Sequence, residues 1–255
     1  MTSSTATFPG RIDYFHNAKA DAKLASGTKR QEMLSVSKGK HALDTISSWP
    51  KYQVTDLHEL KAMAEQANVG QIYYKDESKR FDLKSFKALG GAYAVTRFLQ
   101  QHLEELNGEQ PTMAQLLSGQ YKEQLKDVVV SCATDGNHGR SVAWGSQMFG
   151  CQCIIYIHRD VSAGRQTAME AYAAKVIRIT GNYDESVRQA AVDAELHGRV
   201  IISDTSYEGY TEVPANVALG YTVMLSETVE QLNGVIPTHV FIQAGVGGLA
   251  AAVCG

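Results

Sequence analysis

From Asp127 to Asp204 the chain alternates short apolar runs with amphipathic stretches: DVVVSCA, GNHGRSVAWGSQMFG, CQCIIYI, SAGRQTAMEAYAA, KVIRIT, YDESVRQAAVDAELHG and RVIISD. Continuous apolar runs of this length are strands covered on both faces, and the stretches between them carry the helical period. Parallel neighbours need a crossover connection, usually a helix, so this alternation predicts an α/β fold with a parallel sheet. A long helix from Glu212 to Leu232 follows, then a strand THVFIQA, then GVGGLAAAVCG opening a last helix.

Upstream the pattern is less regular. TDLHELKAMAEQANV places Leu57, Leu60 and Ala64 at helical spacing behind Thr55, a residue able to cap, and predicts a helix. QIYYKDES reads as a short strand with an exit loop, and DLKSFKALGGAYAVTRFLQQHL as a helix before a polar segment around residues 106 to 125. Residues 1 to 50 are the least patterned, with SGTKR as a turn. At the other end the chain stops at Gly255, about two turns into a helix that is apolar around its circumference and so calls for burial.

With 44% hydrophobic residues, 20% charged and a formal net charge of −3, nothing points to nucleic acid or an anionic membrane as partner. No apolar run reaches membrane-spanning length, and MTSSTATFPGR lacks the apolar middle of a secretory signal. Four cysteines in 255 residues are too few for a disulfide framework. Cys151 and Cys153 share one face of a buried strand, so they read as core thiols in a reducing, cytoplasmic setting. No metal-ligand spacing is present, and no metal is expected.

Ligands of open α/β sheets bind beyond the carboxyl ends of the strands. Three such ends carry unusual sequences: TDGNHG, SDTSYEG and AGVGGLA. In AGVGGLA the glycines let backbone N–H groups approach an anion at a helix start, and phosphate is the natural guest. The spacing Gly245-x-Gly247-x-x-Ala250 also allows a dinucleotide reading, a nicotinamide-dependent dehydrogenase. Asp135 or Asn137 could simply cap the helix that follows, and Asp204 could close an Asx turn. His138 is given no proton-transfer role. The remaining oddity is Lys87, a cation between Phe86 and Ala88 just before the pair Gly90–Gly91. A snorkelling surface lysine is one reading. The other is a Schiff-base lysine, whose amine must be neutral to attack a carbonyl, a form that apolar neighbours favour.

KDESKRFDLKSFKALGGAYA, TDGNHGRSVAW, GNYDESVR, SDTSYEGYTEVP and PTHVFIQAGVGGLAA, in that order, resemble the diaminopropionate ammonia-lyase family. That family belongs to the tryptophan synthase β-like, fold type II group of pyridoxal-phosphate enzymes. The likeness runs from about residue 52 to the last residue and is faint before it.

The resemblance implies a two-domain fold with parallel sheets. Residues 1–84 would belong to the large domain, 85–205 would form the smaller α/β domain, and 206–255 would begin the large-domain core. It implies that Lys87 carries the cofactor, that Asn137 hydrogen-bonds its phenolic oxygen, and that Gly245, Val246, Gly247, Gly248 and Leu249 cradle its phosphate. Asp135, where related dehydratases usually carry a serine, would pair with Asp204. The implied reaction is α,β-elimination of 2,3-diaminopropionate to pyruvate and ammonia, in a homodimer. Lys87 would take the proton from the L isomer and Asp135 from the D isomer, with Asp204 orienting or assisting.

Two departures stand out. The family's proline-threonine-proline turn is replaced by Val54-Thr55-Asp56, and the family is considerably longer, so the large domain is incomplete in this chain. A truncated, inactive or partner-dependent relative, and another lyase such as a serine/threonine dehydratase, therefore remain alternatives.

Overall fold

The computed structural model describes residues 32–254, so the expected turn at SGTKR and the reading of the first residues fall outside the described residues. Helix α1 (Val36–Ser47) is capped by Ser35, whose side chain accepts the Lys38 N–H, and it buries Ala42, Thr45 and Ile46. Next come β1 (Leu57–Glu59), α2 (Lys61–Ala67) and β2 (Tyr73–Lys75), the two strands pairing antiparallel. The helix expected from Thr55 is thus corrected. Leu57 to Glu59 are a strand, because Tyr73–Lys75 supplies a pairing partner that periodicity within one short window does not reveal. The helix begins only at Lys61, without a side-chain cap.

The rest follows the alternation. Helices α3 (Lys87–Asn107), α4 (Met113–Leu117) and α5 (Lys122–Leu125) lead to β3 (Val129–Ala133). Then come α6 (Asn137–Phe149), β4 (Gln152–Ile157), α7 (Ala163–Glu170), β5 (Lys175–Arg178), α8 (Tyr183–His197) and β6 (Val200–Ile201). The four strands form one parallel sheet in the order β5-β4-β3-β6. Along β4, Cys153, Ile155 and Ile157 enter the main core, while Ile154 and Tyr156 pack with Ala190 of α8 on the other face. That two-sided burial is why the strand reads as one unbroken apolar run. Each such side chain contributes about 1.5–3 kcal/mol.

Helix α9 (Glu212–Leu232) spans the residues expected, and α10 (Gly248–Cys254) closes the described chain. The strand expected at THVFIQA does not form. Among the described residues it has no pairing strand, and Val240 and Phe241 are 58% and 93% exposed. An extended segment without a neighbour cannot build a ladder.

Helix α3 is gripped on two sides. A Cβ on Gly220 of α9 would lie 2.6 Å from the Leu89 carbonyl oxygen, and one on Gly145 of α6 would lie 2.9 Å from Ala92 Cα. Only glycine permits such close approach. Ser141 of α6 also joins the α3 backbone: its Oγ accepts the Ala92 N–H and donates to the Ala88 carbonyl, both at 2.9 Å. In a regular helix those two groups pair with each other.

Candidate active site

Lys87 is the first residue of α3. Its backbone N–H is donated to Ser85 Oγ at 3.2 Å, and the chain reaches it through Phe81, Asp82 and Lys84, all with positive φ. Such a path is costly for residues with a Cβ. It is held here by packing: Phe81 is buried with its ring 4.7 Å from Trp144 and 5.9 Å from Trp49.

The Lys87 ammonium donates to Asp204 Oδ2 across 2.7 Å. The apolar surroundings expected of this amine are therefore corrected: a nearly buried carboxylate is its immediate partner, and the lysine side chain is 31% exposed. Burial pushes Asp204 up, but the charges of His138 and Lys87 outweigh it, so its carboxyl is held below the usual carboxylate value. Asp204 sits in the exit from β6. That turn is fastened by Tyr210, whose hydroxyl accepts the Ser203 N–H at 3.0 Å and donates to the Ile201 carbonyl at 2.7 Å.

His138 lies behind Asp204. Its Nε2 is 2.8 Å from the Ile202 carbonyl, which can only accept, and its Nδ1 is 3.9 Å from Asp204 Oδ2. Nothing in TDGNHG announced that contact, since the partner strand is some sixty residues away. The loop itself is wound around Thr134, whose Oγ1 accepts N–H groups from Gly136 (3.0 Å) and Gly139 (3.2 Å). Neither Asp135 nor Asn137 caps α6; the cap position is Gly136, at φ +155°.

Lys87, Asn137 and Asp204 line one cleft of about 440 Å³ together with Gly245–Leu249. This volume is within the usual range for small-molecule sites. Gly247 has φ +92°, a conformation that needs glycine, and a Cβ on Gly245 or Gly247 would meet open space. Tyr221 of α9 forms part of the wall, edge-on to Phe86 at 5.0 Å, with its buried hydroxyl unpartnered among the described residues. The sequence alone did not single it out. Asp135 is not brought into this lining. Its carboxylate turns to His158, with Oδ1 2.9 Å from Nε2, and is 64% exposed.

Comparison with known proteins places this geometry. A family model described as "Pyridoxal-phosphate dependent enzyme" matches residues 49–254. The chain belongs to that family. Among curated proteins, the diaminopropionate ammonia-lyase of Salmonella typhimurium is 38% identical over 227 residues, covering 88% of this chain and 56% of the relative. The enzyme of the same name from Escherichia coli K12 is 36% identical over 250 residues, covering 92% and 58%. The solved apo structure of the Escherichia coli enzyme superposes with a TM-score of 0.80 at 37% identity, covering 87% of this chain and 59% of that one. The chain thus spans a little over half the length of these relatives.

The cofactor of the family is pyridoxal 5'-phosphate, and the cleft fits it. An amine and a glycine loop with open space beside it face one volume, as a group carrying both an aldehyde and a phosphate requires.

Proposed function

We propose that the chain carries the site of a pyridoxal-phosphate-dependent α,β-elimination of 2,3-diaminopropionate, giving pyruvate and ammonia. The observation that carries this reading is the Lys87–Asp204 contact of 2.7 Å in a cleft walled by Gly245–Leu249. When bound, the cofactor supplies an electron sink for the substrate's Cα carbanion.

The chain's own residues do the rest. Lys87 holds the cofactor, and its freed amine takes the α-proton of the L isomer. Asp135 takes the α-proton of the D isomer. Asp204 orients the Lys87 amine, and a carboxylate there suits a substrate whose leaving group is a second ammonium. Asn137 donates to the cofactor's phenolic oxygen, and the backbone of Gly245–Leu249 cradles the phosphate. In this reading residues 85–205 form the smaller domain, flanked by large-domain segments 1–84 and 206–255, and the working form is a cytoplasmic homodimer.

Mixing the chain with pyridoxal phosphate tests this: the visible absorption of lysine-bound cofactor is expected, and it should vanish in Lys87→Ala. Release of the 2-oxo acid from diaminopropionate (pyruvate) should then exceed that from serine (pyruvate) or threonine (2-oxobutyrate). Faster release from serine or threonine would make the chain a dehydratase instead.

A second reading is a partner-dependent relative that completes its site with further polypeptide. Ile236, Val240 and Phe241, exposed at 87%, 58% and 93%, favour it. An absent absorption band that appears only when a second polypeptide is supplied would decide for it.

A further inference from the structure

Asp135 lies outside the cleft lining, yet its carboxylate is held in a defined way by His158, the residue that follows β4. His158 Nε2 is 2.9 Å from Asp135 Oδ1. The other ring nitrogen, Nδ1, accepts the backbone N–H of Asp160 at 3.3 Å. An N–H can only donate, so Nδ1 carries no proton and the neutral ring keeps its proton on Nε2, aimed at the carboxylate. The main chain thus favours this tautomer, with the Asp160 carboxylate standing 3.6 Å from Nδ1, beyond hydrogen-bonding distance.

The loop that carries His158 is itself tied down. Arg178 Nη1 of β5 donates to the carbonyls of His158 (3.3 Å), Arg159 (2.9 Å) and Val161 (2.7 Å). From α7, Arg165 Nη1 donates to the Asp135 carbonyl at 3.3 Å. Asp135 Oδ2, by contrast, has no hydrogen bond among the described residues.

We propose that His158 is the positioning residue for Asp135. It occupies Oδ1 with its Nε2–H, fixes the plane of the carboxylate, and leaves Oδ2 free to take the α-proton of a D-amino-acid substrate. It acts on the D isomer alone, because Lys87 serves the L isomer. This rests on the reading of Asp135 as the D-side base.

Two measurements test it. In long-range proton–nitrogen spectra of the nitrogen-15-labelled chain, neutral His158 should appear as the Nε2–H tautomer, and Asp135→Asn should move its ring signals. An Nδ1–H tautomer, or ring signals indifferent to Asp135→Asn, overturns the proposal. With the cofactor-loaded protein, His158→Phe should lower kcat for D-diaminopropionate on the order of 10-fold to 100-fold, the scale of a misaimed base, with KM little changed. Turnover of the L isomer should stay within about twofold, which doubles as the control for folding. His158→Gln, which keeps an N–H donor at a similar reach, should recover most of the D rate. Equal loss on both isomers, or an intact D rate in His158→Phe, overturns the role of His158. If Asp135→Asn leaves D turnover intact while the tautomer is as expected, the base reading fails and takes the proposal with it.

Discussion

Lys87 Nζ and Asp204 Oδ2 lie 2.7 Å apart although 117 positions separate the two residues in the chain. Asp204 is 9% exposed and Lys87 31%, so the pair joins the tip of α3 to the exit of β6 in the wall of the cleft. Asp204→Asn keeps the shape and removes the charge. If Asp204 orients the amine, pyruvate release should fall roughly 10²-fold for L-diaminopropionate, the isomer that Lys87 serves, and distinctly less for the D isomer. Unchanged turnover would assign the carboxylate a purely architectural part.

A second buried charge cluster is expected to govern stability. Glu227 of α9 accepts from Arg80 Nη2 (2.6 Å), Arg80 Nη1 (2.8 Å), Lys75 Nζ (2.8 Å) and the Tyr52 hydroxyl (2.9 Å). Glu227→Gln leaves Lys75, 10% exposed, without a carboxylate partner among the described residues, and leaves the buried Arg80 with Glu77 alone. Breaking such a pair costs about 3–5 kcal/mol, and the midpoint of urea unfolding should drop accordingly.

The same cluster sets an acid limit. Burial pushes Glu227 up, but the hydrogen bonds and charge of Arg80, then of Lys75, outweigh it and hold the carboxyl below its ordinary 4.5. The unfolded chain therefore binds this proton first as pH falls. The stability it contributes is fully present above about 4.5 and is lost as pH drops through the lower folded value. Unfolding free energies measured from pH 7 downward should fall less steeply over that range in Glu227→Gln than in the parent.

Gly220→Ala should destabilise by about 1–3 kcal/mol, since the added carbon would stand 2.6 Å from the Leu89 carbonyl oxygen and 2.8 Å from Gly90 Cα, both backbone. Gly164→Ala is the contrast. It lies within α7 with nothing within 4 Å, and it should raise stability by up to about 1 kcal/mol. Thermal melts of the two variants should move in opposite directions.

The strand–helix alternation was legible because each of its elements is buried or half-buried along its own length, as β4 shows by packing both faces. Two elements were misread for one reason: strand formation depends on a partner elsewhere. Leu57–Glu59 gained one in Tyr73–Lys75, and THVFIQA found none among the described residues. At the site, Lys87, Asn137, Asp204 and the glycine loop were visible as unusual residues at strand ends and a helix tip. The contacts that define their chemistry were not. His138 meets Ile202 across 64 positions and Asp135 meets His158 across 23, distances at which local pattern carries no information.

Helix α3 bears Lys87 on its first turn and is seized directly behind it, by α9 at Leu89–Gly90 and by α6 at Ala88–Ala92. Mechanically it is an axle in two bearings, with the amine at its protruding end. The two bearings hold the shaft against both turning and sliding, so the aim of the amine is set by the helices behind it. Substitutions in either bearing would mistune the lysine without touching the cleft.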